Sequence, residues 1–385
     1  MSLSVLQVAS SFPAWGGAEL HILNLSDQLQ RRGHDVTVAC RPGCWVEERA
    51  KQLGLPTLPI IVKWQGDWKD FSSLRRFIRE RQMQVVHVHW SRDMMVSGLA
   101  GRLEHVPVRI MTRHMPYPFK SRLGTALYSR YFFTRIVAIS NSVRETLRQC
   151  GVANEKIEVI HHGTDIEAFS QTTIERKIVR RDLGIPDDCV AVGIVGRIAP
   201  EKGHNVILEA FGRLGDRYPL KLVVAGSGPD EMLIREKIEK LGLNEKVIFT
   251  GFRDDVNNII AALDIVTVPS TWNEPCSAVI QQGMALSKPV IGTLTGGSPE
   301  MILDGETGLL VPPSDSDALA GAVEMLARDA FLRRRLGAAG RERVVSHFSL
   351  QIMTDKIEAL YQREYENARG AGALEKSLAS YTGRR

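Results

Sequence analysis

Cys-x-x-Cys pairs are absent from this 385-residue chain, and its five cysteines (Cys40, Cys44, Cys150, Cys189, Cys276) are scattered and odd in number. That argues against a disulfide frame or a structural zinc site and for reduced thiols in a cytoplasm. No uninterrupted apolar run approaches the ~18–20 residues that span a bilayer. The opening "MSLSVLQVAS" lacks the basic n-region and long apolar h-region of a secretory signal. The fingerprint G-x-G-x-x-G is missing from the first strand-to-helix turn, which counts against a nicotinamide enzyme. There is no short-period repeat and no low-complexity tract. Charge is unevenly spread: residues 1–170 hold 22 Lys+Arg against 15 Asp+Glu, and the remainder 27 against 29. A basic first part suits anionic partners or merely a solvated surface. No nucleic-acid-binding motif accompanies it, so no nucleic-acid partner is expected.

What the chain does have is alternation. "SVLQVAS" leads into "AELHILNLSDQLQRRG", whose leucines recur at helical spacing and whose Gly33 closes it. "DVTVAC", "QVVHVH", "RIMTRH", "RIVAIS" and "KIEVIHHG" come next, mostly separated by helical stretches. The pattern loosens over 166–182 and restarts with "VAVGIVGR", "LKLVVAGSG", "VIFTGF", "DIVTVPS", "KPVIGT" and "GLLVPP". This predicts an α/β chain of two Rossmann-like, doubly wound domains, 1–170 and 171–351. A last helix is expected over about 352–368, and a loosely structured tail over 369–385. With 44% apolar residues, each domain can bury a core.

Ligands of open α/β sheets bind beyond the carboxyl ends of strands. After the first strand, Gly16–Gly17 precede a helix, where bare N–H groups suit an anion; a tight turn needing positive φ explains them equally well. After "VAVGIVG", Arg197 and Lys202 bracket a Pro-containing loop, a fork and a point charge that suit a diphosphate. Gly226 and Gly228, and Gly296–Gly297 ahead of Glu300, end other strands, where turn geometry is an alternative. Glu274 stands where a strand ends and a helix should begin, with Pro275 at the first helical position and no cation beside it in sequence. His114 follows a strand of the first domain. His87 and His89 lie within another strand, share a face at period two, and make no evident metal pair with His114. Asp315 and Asp317 sit at a helix start, where capping is the better reading than a metal. No metal is predicted.

Together, "GGAEL", "TRHMP", "HHGTD", "GRIAPEKG", "AGSGPD", "TGF" and above all "NEPCSAVIQQGMALSKPVIGTLTGGSPEMI" resemble retaining glycosyltransferases of group 1, also called family 4. The resemblance runs to about residue 365, with every motif in family order. It implies the GT-B architecture: two Rossmann-like domains facing across a cleft, with a C-terminal helix crossing back to the first. It implies a nucleoside-diphosphate sugar as donor, held mainly by the second domain, and no cofactor. On that resemblance Arg197 and Lys202 hold the donor diphosphate with help from Gly17, and Glu274 meets hydroxyls of the donor hexose. Backbone amides at Ser277, Ala278 and Val279 lie along the donor. His114 assists at the reacting sugar, and Gly16, Gly163 and Asp165 belong to acceptor or interdomain segments. Position 282 departs from the family, being Gln282 where the pattern has a second Glu that grips the ribose. An amide still accepts from a hydroxyl but loses charge assistance, which predicts nucleotide binding weaker by roughly 1–2 kcal/mol.

The implied reaction moves a hexose, with retention, to a saccharide or lipid-linked acceptor of surface or secreted polysaccharide such as lipopolysaccharide, in the cytoplasm or at the inner face of the membrane. The stretches 63–82 and 112–135 interleave Lys and Arg with aromatics, which suits a peripheral membrane contact. Helix faces packing Phe132 and its neighbours inward with Arg outward are the alternative. Rival readings are a catalytically silent sugar-nucleotide-binding protein, an epimerase or a phosphorylase; the last needs a longer chain and a cofactor lysine.

Overall fold

A computed structural model describes residues 1–10, 16–62, 68–119, 121–170 and 174–382. The chain divides into two compact units, Met1–Gly163 with Leu350–Arg385, and Thr164–Ser349.

In the first unit, β1 (Ser4–Ala9), β2 (Asp35–Cys40), β3 (Thr57–Pro59), β4 (Val85–Val88), β5 (Val108–Arg113), β6 (Arg135–Ala138) and β7 (Ile157–Val159) form one sheet in the order β3-β2-β1-β4-β5-β6-β7. In the second, β8 (Val190–Val195), β9 (Leu220–Ala225), β10 (Val247–Gly251), β11 (Ile265–Val268), β12 (Val290–Thr293) and β13 (Leu309–Val311) run β10-β9-β8-β11-β12-β13. Every pairing is parallel. Each sheet starts in its interior and reverses direction there, so each has a topological switch point: between β1 and β4, and between β8 and β11.

The strands are continuous apolar runs because helices cover both faces. Along β9, Leu222 and Val224 enter one core while Val223 and Ala225 enter the other, the period of two that side chains of a strand impose. The first helix, Gly17–Arg31, buries Ile22, Leu25 and Leu29 and ends at Gly33, whose φ of 87° no other residue adopts cheaply.

Three expectations change, and one strand goes unforeseen. The edge strand β3 was not legible: three residues ending in proline carry no alternation. The polar stretch 166–182, across which the two domains were expected to meet at 170, belongs to the second unit, as helices Ile166–Ser170 and Arg176–Asp182. Arg180 there is buried, paired with Asp264 at 3.0 Å and donating to the carbonyls of Pro186 and Cys189. A buried arginine satisfied on every side holds its helix to the sheet as firmly as apolar packing would. The last helix runs Leu350–Thr382, through most of the tail expected to be loose. Its Leu350, Met353, Ile357, Leu360 and Tyr361 recur at helical spacing and join the core of the first unit, each worth roughly 1.5–3 kcal/mol when fully buried. Finally, the helix after Glu274 begins at Ala278, so Glu274 and Pro275 lie in the loop before it.

Candidate active site

The second unit's site is built by the loops after β8 and β11, the strands that flank its switch point. Gly203 turns the first loop with a φ of 78°, and a Cβ there would run into the carbonyl oxygen of Pro269. That contact locks the loop after β8 against the loop after β11. It brings Lys202 to Glu274, Nζ to Oε2 at 2.5 Å, while Ser270 Oγ donates to the same oxygen at 3.2 Å. The carboxylate expected to stand without a cation therefore has one, supplied by chain topology from 72 residues away. Glu274 is largely buried, with 13% of its side chain exposed against 32% for Lys202. Behind it, Gly296 and Gly297 carry its main chain: a Cβ on Gly296 would collide with Glu274 O, and Gly297 N donates to that oxygen. Gly226 and Gly228 play the same close-packing part, against Gly196 O and Ile198 O, so these glycines serve backbone contact between loops.

The helix Ala278–Ala285 then starts beside this pair. Ser277 stands at its N-cap with no side-chain hydrogen bond, so the N–H groups of Ser277, Ala278 and Val279 keep the positive end of the helix uncapped by side chains. Asn273 Oδ1 and Ser298 Oγ are buried without a hydrogen-bond partner among the described residues, the kind of debt a ligand settles. Gln282 is half-buried one turn in, and its side chain makes no hydrogen bond among the described residues, whereas buried Gln281 accepts from Thr164 Oγ1 at 2.7 Å. Arg197 is exposed and paired with Glu201. An exposed i,i+4 pair is worth only about 0.3–0.5 kcal/mol, so Arg197 can change partner cheaply. Asp165 caps the helix Ile166–Ser170 through Ala168 N, and Asp315 caps Ser316–Arg328 through Ala318 N. Asp317 pairs with Arg213.

At the switch point of the first unit, Gly16 is extended and neither Gly16 nor Gly17 has a positive φ, so the tight-turn reading fails. Glu19, in the first turn, is buried and its carboxyl is pushed up by that burial; it faces the helix N-terminus an incoming anion would use. His114 follows β5 but its ring is 4% exposed, not turned outward. Its two nitrogens bond to other histidines: Nε2 to His89 Nδ1 at 3.1 Å and Nδ1 to His162 Nε2 at 2.9 Å. His89 Nε2 meets Gln7 Oε1 at 2.7 Å. An amide oxygen only accepts, so the protons are ordered: His89 donates to Gln7, His114 to His89, and His162 to His114. His87 bonds Tyr361 and Thr112, and His21 stacks on His162 with centroids 4.2 Å apart. Burial holds His21, His89 and His114 well below the ordinary histidine range, and takes His162 to about 4 and His87 to about 3. His89 lies just past β4. Period two along that strand gives no sign that β4, β5, the first helix and the segment after β7 all deliver histidines to one place. Gly163 N donates to Met353 Sδ at 3.2 Å.

The basic–aromatic stretches differ, residues 63–67 and Lys120 lying outside the described ones. In Trp68–Glu80, Leu74 and Ile78 are buried while Arg75 and Arg79 clasp Glu104, whose carboxyl Arg79 and then Arg75 draw down to about 2. In Arg122–Phe132, Phe132 is half-buried and stacks on Tyr128, but Leu123, Leu127 and Tyr131 are 72%, 44% and 46% exposed. No helix among the described residues is long and apolar enough to cross a membrane.

Residues 175–343 match the family described as Glycosyl transferases group 1, and residues 15–168 that described as Glycosyltransferase Family 4. The lipopolysaccharide core biosynthesis glycosyltransferase LpsE of Rhizobium meliloti is 28% identical over 88% of this chain and 94% of its own. The UDP-Gal:alpha-D-GlcNAc-diphosphoundecaprenol alpha-1,3-galactosyltransferase of Escherichia coli is 23% identical over 91% and 94%. The fold is that of Anabaena Alr3699/HepE, crystallised with UDP, at a TM-score of 0.84 and 20% identity over 94% of this chain and all of the other. With both units matched, in order, by the two halves of one architecture, the chain belongs to the group 1 glycosyltransferases of GT-B fold.

Proposed function

We propose that this protein transfers a hexose from a nucleoside-diphosphate sugar to a saccharide or lipid-linked acceptor, with retention at the anomeric carbon, during synthesis of surface or secreted polysaccharide at the cytoplasmic side of a membrane. The observation that carries this reading is the Lys202–Glu274 pair at the second switch point, set beside an uncapped helix N-terminus. Lys202, Arg197 and the amides of Ser277 to Val279 are three sources of positive potential for a diphosphate. Glu274, with Oε2 held by Lys202, presents Oε1 to sugar hydroxyls, and Gln282 accepts from a ribose hydroxyl. In the reaction the acceptor oxygen bonds to the anomeric carbon as the bond from that carbon to the diphosphate oxygen breaks. The acceptor proton passes to the departing diphosphate on the same face. Preorganised cations that meet the charge as it develops are the largest catalytic term; they do so without calling on a metal. The buried His114 acts at the sugar only by giving up one of its two histidine bonds.

Relatives support the chemical class: one is named for lipopolysaccharide core synthesis, one for a diphosphoundecaprenol-linked acceptor, and a structural neighbour holds UDP. The test is a thermal-shift panel of UDP, GDP, ADP and TDP, each free and sugar-linked. A ligand at ~100 times its dissociation constant adds about 2.7 kcal/mol of apparent stability, so one winner is expected. That sugar nucleotide should then release nucleotide when an acceptor is supplied. Binding without release, under every acceptor tried, would favour the silent binding protein.

Leu123, Leu127 and Tyr131, at intervals of four on one helix and flanked by the exposed Arg122 and Arg130, support a contact with anionic lipid. Replacing all three by serine should lower binding to phosphatidylglycerol vesicles about tenfold or more. Undiminished sedimentation of the triple variant would refute the contact.

A further inference from the structure

We propose that His21, His114 and His162 form a binding site for a borderline transition-metal ion of the zinc class. One nitrogen from each ring lies within 4.8 Å of the others. An ion held there occupies His114 and silences sugar transfer, an effect that rests on the transferase reading above.

The chemistry of His21 points to a ligand. Both its ring nitrogens are buried without a hydrogen-bond partner among the described residues. An orphaned buried polar group is costly to leave unmet, and a coordinate bond would offset that cost. Burial keeps all three imidazoles neutral, the form that binds metal. His114 is also set in the right tautomer. Its Nε2–H is committed to His89, and His89 in turn to Gln7, so its Nδ1 lone pair is the one aimed at the cluster. A ligating imidazole whose other N–H is anchored in this way is the usual outer arrangement of histidine metal sites.

The donor set selects the ion. Three imidazoles and no carboxylate suit zinc, copper or nickel rather than magnesium or calcium. Zinc–nitrogen bonds of about 2.0–2.1 Å at tetrahedral angles place neighbouring nitrogens about 3.4 Å apart. The His114–His162 contact of 2.9 Å must therefore open slightly, and the proton on His162 Nε2 must move to Nδ1 or to solvent. His21, stacked on His162 at an interplanar angle of 24°, must turn to face the ion. His162 is only half-buried and provides the entry.

The experiment uses the full chain stripped with chelator. Calorimetric titration with zinc chloride should give one ion per chain at micromolar affinity or tighter. Cobalt(II) should develop the visible absorption bands of a tetrahedral nitrogen site. His162→Gln places an amide N–H where Nε2 donates to His114, and His21→Leu removes two orphaned polar atoms, so both variants should fold. Each removes a ligand and should weaken zinc binding by at least the roughly 10–100-fold that loss of an outer-shell partner costs. No binding by the parent chain at 1 mM zinc, roughly a thousandfold above the micromolar affinity expected, or binding untouched in both variants, would overturn the site. Zinc should suppress nucleotide release by the parent chain and spare His162→Gln; binding without suppression would overturn the inhibitory effect alone. Zinc binding in a chain that releases no nucleotide from any sugar donor would sink the transferase reading and leave the site standing.

Discussion

Lys202→Met and Glu274→Gln are each expected to lower the turnover of sugar nucleotide by about 10²–10³, the cost of removing one preorganised electrostatic contact, while the double variant recovers stability but not rate. One ion pair has two separable roles here. Glu274 is mostly buried, so removing only its cation leaves a desolvated carboxylate, and each single variant should be destabilised. Deleting both charges removes that penalty, and pairs of this kind are often replaced by neutral groups at little cost. The stability cycle should therefore show a favourable coupling between the two positions. If the pair were only a brace, rate would return along with stability. If both groups touch substrate, the double variant folds as well as the parent and remains slow. Melting curves and donor turnover on the four proteins decide it, and a double variant as active as the parent would remove Lys202 and Glu274 from the catalytic machinery.

Mild acid should unfold the first unit before the second. Burial depresses His21, His87, His89, His114 and His162 in the folded first unit, and His204, to about 4, in the second. The unfolded chain takes up these protons near the ordinary pKa of about 6.5, whereas the folded chain refuses them until about 4 at His162 and about 3 at His87. Between those limits the unfolded state binds more protons, so stability rises with pH and is lost as pH falls. His87 alone costs about 2 kcal/mol between pH 6.5 and pH 5, at about 1.36 kcal/mol per unit. Five such groups against one predict that hydrogen exchange or limited proteolysis at pH 5 opens β1, β4 and β5 while β8 and β11 stay protected. Equal protection of both units from pH 7 to pH 5 would show that the histidines take up protons in the folded state.

The two doubly wound units and most of the strands that build them were legible because parallel sheets covered on both faces write themselves as apolar runs, several of them closed by glycine or proline. Lys202 and Glu274 lie just past strand ends, a local property that the sequence displays, whereas the helix expected to begin at Pro275 begins three residues later, at Ala278. Partnership across the fold is not written in the sequence. Lys202 and Glu274 are separated by three strands of chain and meet only because β8 and β11 are neighbours at a switch point. The histidines carry no shared spacing at all. His21, His87, His89 and His114 converge because the order β3-β2-β1-β4-β5-β6-β7 places the ends of β1, β4 and β5 side by side, and the segment after β7 brings His162 to them. Their neutral state and their proton order arise from burial and from Gln7 and Tyr361, the latter on a helix at the other end of the chain. Periodicity is a property of neighbours in sequence, whereas charge pairing, tautomer and metal affinity belong to neighbours in space. For this protein the sequence determined the architecture and one arm of the site, and the tertiary structure decided which charges and which imidazoles act together.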